Sequence, residues 1–267
     1  MTTPPVDMQA APAASLVFLA GGALFFAVSL GWSVRETRRR RTWLPLLALA
    51  GGVLASLEEA WIDRLIQLWY PADAPAVLFT ALGIHQPLYL HLYYPGFVGL
   101  GAYVTYLGLL RYPDGRMLWP AFGGICLMDL VFEGPATFFS VYHYYGDQPF
   151  QLFREGWPLW VAPVNAAGPL LGGWLIYRLR DQLTGRATAA VALLPPVAYA
   201  GVYGATTWPT TSALNSGLAA PWVWLAAVVT MALCGLIVLG LRATARASVS
   251  PSATAHDPRR DPAGQFG

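Results

Sequence analysis

Two pairs of carboxylic acids sit in runs of sequence that otherwise read as hydrocarbon. Residues 55–71, ASLEEAWIDRLIQLWYP, carry Glu59 and Asp63 at i and i+4, with Glu58 beside them. Residues 126–139, CLMDLVFEGPATFF, repeat the spacing with Asp129 and Glu133. On a helix that spacing leaves about 40° between side chains, so each pair projects from one face. An acid at the centre of a bilayer costs about 2.5–3.5 kcal/mol. Several together cost on the order of 10 kcal/mol, as much as the whole stability of a typical domain. Acids in such places should face the bundle interior and mark a functional site. The competing structural use is interhelical hydrogen bonding by protonated acids, or an Asp63–Arg64 pair at the water interface.

The chemistry open to these residues is proton transfer. A carboxyl in a dry pocket can hold a proton at neutral pH and deliver it to an apolar substrate. A neighbouring acid can remain ionised as the base. No nucleotide-binding loop, G-x-S-x-G elbow, HExxH helix or haem motif occurs. A metal–diphosphate site would need basic partners for the phosphates, and only Arg64 stands beside the helix-2 acids. No metal and no organic cofactor is implied. Cys126 and Cys234 lie in apolar runs without a CxxC partner and read as small core residues.

The elements that must position these acids are membrane spans. Of 267 residues, 56% are hydrophobic and only 11% charged, against about a quarter charged in soluble domains. Seven stretches reach the ~20 apolar residues of a spanning helix: 14–34, 43–67, 87–110, 117–141, 159–179, 187–207 and 218–241. The expected fold is an all-α integral membrane protein, a bundle of seven transmembrane helices over 14–241, multi-pass in the cell membrane. A tail at 1–13 precedes it, and a disordered cytoplasmic tail at 242–267 follows. All sixteen basic residues are arginine. They cluster after alternate stretches, at Arg35–Arg41, Arg111–Arg116, Arg178–Arg186 and Arg242–Arg246. The excess of arginine on cytoplasmic loops then predicts N-terminus out and C-terminus cytoplasmic. The net charge of +2 is too small to argue for nucleic acid.

That topology puts Glu58 to Asp63, Asp129, Glu133 and Asn165 in one half of the bundle, with His91, Tyr93 and Tyr94 at similar depth. Pro95-Gly96, Gly134-Pro135 and Gly168-Pro169 predict broken backbone there, tolerated where it lines a cavity. The expectation is a polar pocket built from the second to fifth helices and walled by Trp and Tyr. The loops on that side hold Tyr142, Tyr144, Tyr145, Phe150, Phe153, Trp157 and Trp160. They read as an interfacial aromatic belt, or as a lid over an apolar substrate. The expected partners are the lipid bilayer and a hydrophobic small molecule; the sequence names no protein partner.

Several runs resemble the AveC-like spirocyclase family of actinobacteria. They are Glu59-Ala-Trp-Ile-Asp63 with Trp69-Tyr70-Pro71, Asp129-Leu-Val-Phe-Glu133-Gly-Pro135, Tyr144-Tyr145-Gly146 with Gln148-Pro149, and Pro158-Leu-Trp160 with Asn165-Ala166 and Pro169. The resemblance covers about residues 45–180. Ala60 stands where the family pattern has proline, and Glu58 adds an acid. The resemblance implies closure of a dihydroxy ketone to a spiroketal, with Glu59, Asp63, Asp129 and Glu133 as the acids and Asn165 as a polar partner. Glu58, Tyr93, Tyr94, Trp69 and Tyr145 join Asn165 as expected substrate-binding residues. The runner-up is a membrane terpene or meroterpenoid cyclase, in which aromatic walls stabilise a carbocation. A third possibility is a non-enzymatic lipid- or proton-handling membrane protein.

Overall fold

In the computed structural model, which describes residues 3–152 and 156–247, the first apolar run forms one unbroken helix, α1 (Pro12–Arg40). Proline at its first position costs no hydrogen bond. Arg38, Arg39 and Arg40 crowd its last turn, where positive charge complements the carbonyl end.

The second run breaks. Helix α2 (Leu44–Ser56) stops at Leu57 and Glu58, and α3 (Glu59–Ile66) leaves at 49° to it. Helix α3 ends at Gln67, in the left-handed conformation. Strand β1 (Leu68–Trp69) follows, and then a hairpin of β2 (Val77–Ala81) and β3 (Ile84–Pro87). The third run is divided too. Between α4 (Leu88–Tyr94) and α5 (Gly101–Arg111) lies a π-helical turn, Pro95–Leu100. Pro95 has no N–H for the ladder, and a wider turn is one way the chain absorbs that loss. Gly134-Pro135 and Gly168-Pro169, expected as similar breaks, lie inside continuous helices: α6 (Leu118–Phe138) and α7 (Val161–Leu179). Strand β4 (His143–Tyr144) lies between them. A 3-10 segment (Gly185–Leu193), α8 (Leu194–Thr206), α9 (Trp208–Asn215) and α10 (Ala220–Ala247) complete the described chain.

Among the described residues, four segments are long and apolar enough to cross a membrane: α1, α6, the Gly185–Thr206 run and α10. Counting the bent α2–α3 pair as one crossing gives five. The expectation of seven spans is therefore corrected. The pieces of Leu88–Arg111 are each too short, and α7 is interrupted in its hydrophobicity by Pro163, Asn165 and Pro169. The orientation assigned from the arginines rested on seven crossings and falls with them. The expected tails also shift. Helix α1 begins at Pro12, and α10 runs on to Ala247. The rest of the expected cytoplasmic tail, 248–267, lies outside the described residues, as do Phe153 and Arg154.

Helix α7 is central, packed on α5, α6, α8 and α10, while α2 lies against the π turn. Both crossings are close because glycine supplies the contact. A Cβ on Gly173 would lie 2.4 Å from the Ala102 carbonyl oxygen, and one on Gly99 would lie 2.3 Å from that of Ala48. Small residues at helix crossings let backbones approach in this way inside a membrane.

One end of the bundle carries a lid. Strands β1 and β4 pair antiparallel, Leu68 with Tyr144 and Trp69 with His143. Tyr70, Tyr144, Trp157 and Trp160 are almost fully buried around this pair. Tyr142 and Tyr145 are buried with them. These rings form a packed cover rather than an exposed interfacial belt.

Candidate active site

Each buried acid depends on a different break or packing contact. The stop at Leu57–Glu58 turns α3 so that Glu59, in its first turn, points into the bundle. Helix α6 brings Asp129 and Glu133 to the same place from one face, and α7 supplies Asn165 opposite them. The three acids and Asn165 line one cavity of about 90 Å³ beneath the lid. Tyr94, Tyr144, Tyr199 and Tyr203 share that lining.

Asn165 is the hub. Its Nδ2 donates to Asp129 Oδ1 and Oδ2 at 3.1 Å each, and to Glu133 Oε1 at 3.1 Å. Its Oδ1 accepts from the Tyr199 hydroxyl at 2.9 Å and the Tyr203 hydroxyl at 2.6 Å. The network fixes the amide orientation: the flipped form would aim an oxygen at two carboxyl groups and an NH2 at two phenol donors. Glu133 Oε2 also accepts from the Tyr144 hydroxyl at 2.6 Å. Across the cavity the Tyr94 hydroxyl binds the Glu59 carboxyl and reaches the Tyr199 hydroxyl at 3.3 Å. A chain of hydrogen bonds thus runs from Glu59 through Tyr94, Tyr199 and Asn165 to Asp129 and Glu133. Tyr144, in the lid, has its phenol pushed well above the ordinary value, chiefly by burial, so it remains a donor to Glu133.

The expected site residues divide into two groups. Glu59, Asp129, Glu133, Asn165, Tyr93 and Tyr94 all line the cavity. Asp63 does not. One turn behind Glu59, it is fully buried and accepts from Gln86 Nε2 at 2.9 Å. It serves the junction between α3 and the β2–β3 hairpin. Glu58, at the bend itself, is also outside the lining. Trp69 and Tyr145 meet edge to face at 6.5 Å within the lid and do not reach the cavity. The strand pairing at Leu68–Tyr144 turns them outward from it. His91, expected near this depth, binds the Ser56 hydroxyl at 2.9 Å instead.

Two residues of the hydrogen-bond network, Tyr199 and Tyr203, are not among those the sequence singles out. Tyr199 and Tyr203 lie in the run YAGVY, in a region without a recognised motif. Their i,i+4 spacing in an apolar stretch is the same signal that singled out the acids. Tyr70, Tyr89, Tyr142, Phe18, Phe25, Phe97 and Phe132 complete the aromatic part of the wall.

The fold and site define a helical protein with several apolar helices able to span a membrane, built around a buried carboxyl–tyrosine–amide network. Compared with known proteins, the chain matches no family model, no curated protein and no solved structure.

Proposed function

We propose that this protein is a multi-pass enzyme of the cell membrane that cyclises a hydrophobic natural-product intermediate by carboxylic acid–base chemistry, without a cofactor. The observation that carries this reading is the hydrogen-bonded chain from Glu59 to the Asp129–Glu133 pair across a largely aromatic cavity. General acid–base catalysis needs a donor and an acceptor within reach of one substrate, and it gains about 10²–10⁴-fold from each positioned group.

The resemblance to AveC-like spirocyclases directs the reading toward spiroketal formation. In that reaction one hydroxyl of a dihydroxy ketone adds to the carbonyl, giving a hemiketal. A carboxylic acid protonates the hemiketal hydroxyl, and water leaves. The second hydroxyl attacks the oxocarbenium ion and gives up its proton to a carboxylate. Asp129 and Glu133, joined by one amide, offer such an acid and base on one side of the cavity. Glu59 faces them from the other, and its carboxylate would stabilise the cation.

Terpene cyclisation is the second reading. Tyr94 meets Tyr199 edge to face at 5.5 Å, and Tyr199 meets Tyr203 in a tilted contact at 5.1 Å. Their ring faces beside the acids would stabilise a carbocation. Incubation of purified protein in membranes with a dihydroxy ketone and a prenylated epoxide separates the two. Loss of water from the ketone supports spirocyclisation. An isomer of unchanged mass from the prenyl substrate supports the terpene reading. Turnover of neither, with proton flux in liposomes, removes both and favours a proton-handling membrane protein.

A further inference from the structure

The walls of the cavity are unequal. At the lid, Tyr70, Tyr144, Trp157 and Trp160 are packed almost without exposure, so the route from the aqueous side is closed by a folded layer. Toward the side of the bundle, the wall is made of single aromatic rings. Phe25 on α1, Tyr93 on α4 and Phe132 on α6 meet pairwise, with centroids 5.8, 5.9 and 5.3 Å apart. All three are only partly buried. Helix α6 packs on α7 and α10, and α1 packs on α2 and α4. The ring cluster therefore fills the seam between the two groups of helices.

Lipid faces flank that seam. Leu24 and Val28 beside Phe25, and Leu127 and Val131 beside Phe132, are among the most exposed apolar side chains in the bundle. The Tyr93 ring has room because α1 carries glycine there. A Cβ on Gly21 would lie 2.7 Å from the Tyr93 hydroxyl oxygen, and one on Gly22 would lie 3.2 Å from the ring. The hydroxyl of Tyr93 holds only a long contact, 3.4 Å, to the Phe18 carbonyl.

Volume argues that something must open. The cavity of about 90 Å³ is smaller than the ~150 Å³ hole that admits benzene in a soluble protein core. A larger ligand needs a wall to move. Displacing three rings that face lipid costs far less packing than unfolding the lid, because acyl chains of the bilayer pack against the rings wherever they swing out.

The lining also selects charge. Among the described residues that line the cavity, Glu59, Asp129 and Glu133 are acidic and none is basic. A fatty carboxylate or phosphate would find no counter-charge there. A neutral hydroxyl or carbonyl would find donors and acceptors.

The geometry points to lateral loading from the bilayer through the Phe25–Tyr93–Phe132 seam, for a neutral amphiphile that keeps its chain in the seam and its oxygenated end at the acids. The inference rests on the cyclase reading only for the fate of the ligand, and its test needs no turnover.

The full chain, reconstituted in phosphatidylcholine vesicles, is photolabelled with a long-chain alcohol carrying a diazirine near its hydroxyl. The carboxylic acid of equal length serves as the comparison. Expected are adducts at Glu133 and Tyr93 from the alcohol, and several-fold fewer from the acid at neutral pH. Phe132→Trp, which fills the seam, should cut the cavity adducts several-fold. Phe132→Ala, which opens it, should raise them, and it keeps the test alive if the larger residue does not fold. Adducts confined to Leu24, Leu127 and Val131 would overturn the proposal. So would equal labelling by alcohol and acid, or labelling unchanged in both variants.

Discussion

Replacing Asn165 by leucine keeps the side-chain volume close to the original and removes the hub of the network. Asp129 loses its amide partner, and Tyr199 and Tyr203 lose their shared acceptor. Glu133 loses one donor and keeps the Tyr144 hydroxyl. An unsatisfied buried polar group costs about 1–3 kcal/mol, so three orphaned groups set a range of about 3–9 kcal/mol. Within membranes the cost per bond is lower, averaging about 0.6 kcal/mol; Asn165 has two N–H donors, one forked between the Asp129 oxygens, and accepts from two phenols, which puts its four hydrogen bonds at about 2–3 kcal/mol. We expect a loss near 3 kcal/mol, a large share of a typical ~5–15 kcal/mol. Tyr203→Phe removes a donor without orphaning Asn165, which still holds Tyr199, and should cost about 0.5–1.5 kcal/mol. The double variant should cost less than the sum by about 1 kcal/mol, because the Tyr203 hydroxyl is no longer there to be stranded. Unfolding in mixed micelles by sodium dodecyl sulfate, read by tryptophan fluorescence, measures all three. Buried Trp157 and Trp160 are the reporters. Asn165→Leu within about 0.5 kcal/mol of wild type, the usual scatter for surface substitutions, would refute the hub; strict additivity in the double variant would do the same.

Other expectations are simpler. Asp129→Asn and Glu133→Gln should abolish cyclisation in a protein that still inserts and resists detergent like wild type; full turnover in both would assign these acids to structure. Tyr144→Phe removes the 2.6 Å donor to Glu133 and should lower kcat by about 10–100-fold, the scale of a lost charge-assisted hydrogen bond. Gly99→Ala should destabilise by about 1–3 kcal/mol or more by overpacking, since the carbonyl of Ala48 cannot swing aside; an unchanged unfolding midpoint would contradict the close crossing. The phenols of Tyr70, Tyr142 and Tyr144 lie in the lid, and burial pushes each well above its ordinary value. A raised phenol value means stability that is fully present below the unfolded value near 10 and lost as pH rises toward the folded one. Ultraviolet titration should therefore show these tyrosines ionising only together with unfolding, and a separate early step for them would be the contrary result.

Much of the site was legible because hydrocarbon sequence makes polar residues conspicuous. Glu59, Asp129, Glu133 and Asn165 stand out by cost alone, and spacing puts Asp129 and Glu133 on one face of α6. The expected meeting of the three helices rested on the seven-span topology, which the structure corrects while still bringing these residues together. Asp63 was chosen on the same grounds, yet one further turn along α3 carries it past the cavity to Gln86. Spacing gives the face of a helix, not the depth at which a neighbour meets it. Tyr199 and Tyr203 escaped because tyrosine in an apolar run looks ordinary until an acceptor is known. The span count failed for a related reason. Helical runs are visible at 43–67 and 87–110, but at the bend the backbone tightens to i→i−3 bonds, Leu57 N–H to the Leu54 carbonyl and Glu58 N–H to the Ala55 carbonyl, with no proline or glycine there to announce it. The π turn did have a local signal, Pro95-Gly96. The packed aromatic cover, by contrast, could not be told from an interfacial belt without knowing which rings lie inside.

The central claim is that the Asp129–Glu133 pair moves protons for ring closure. The most direct measurement is the chirality of the ketal formed from an achiral or racemising dihydroxy ketone, in vesicles holding wild type or Glu133→Gln. Such ketals can close without an enzyme, so rate alone is ambiguous. The account predicts one stereochemistry in excess with wild type, and the uncatalysed mixture with Glu133→Gln at equal amounts of folded protein. The same excess with both proteins would contradict a proton-transfer role for Glu133, and the uncatalysed mixture with both would contradict the spirocyclase account itself.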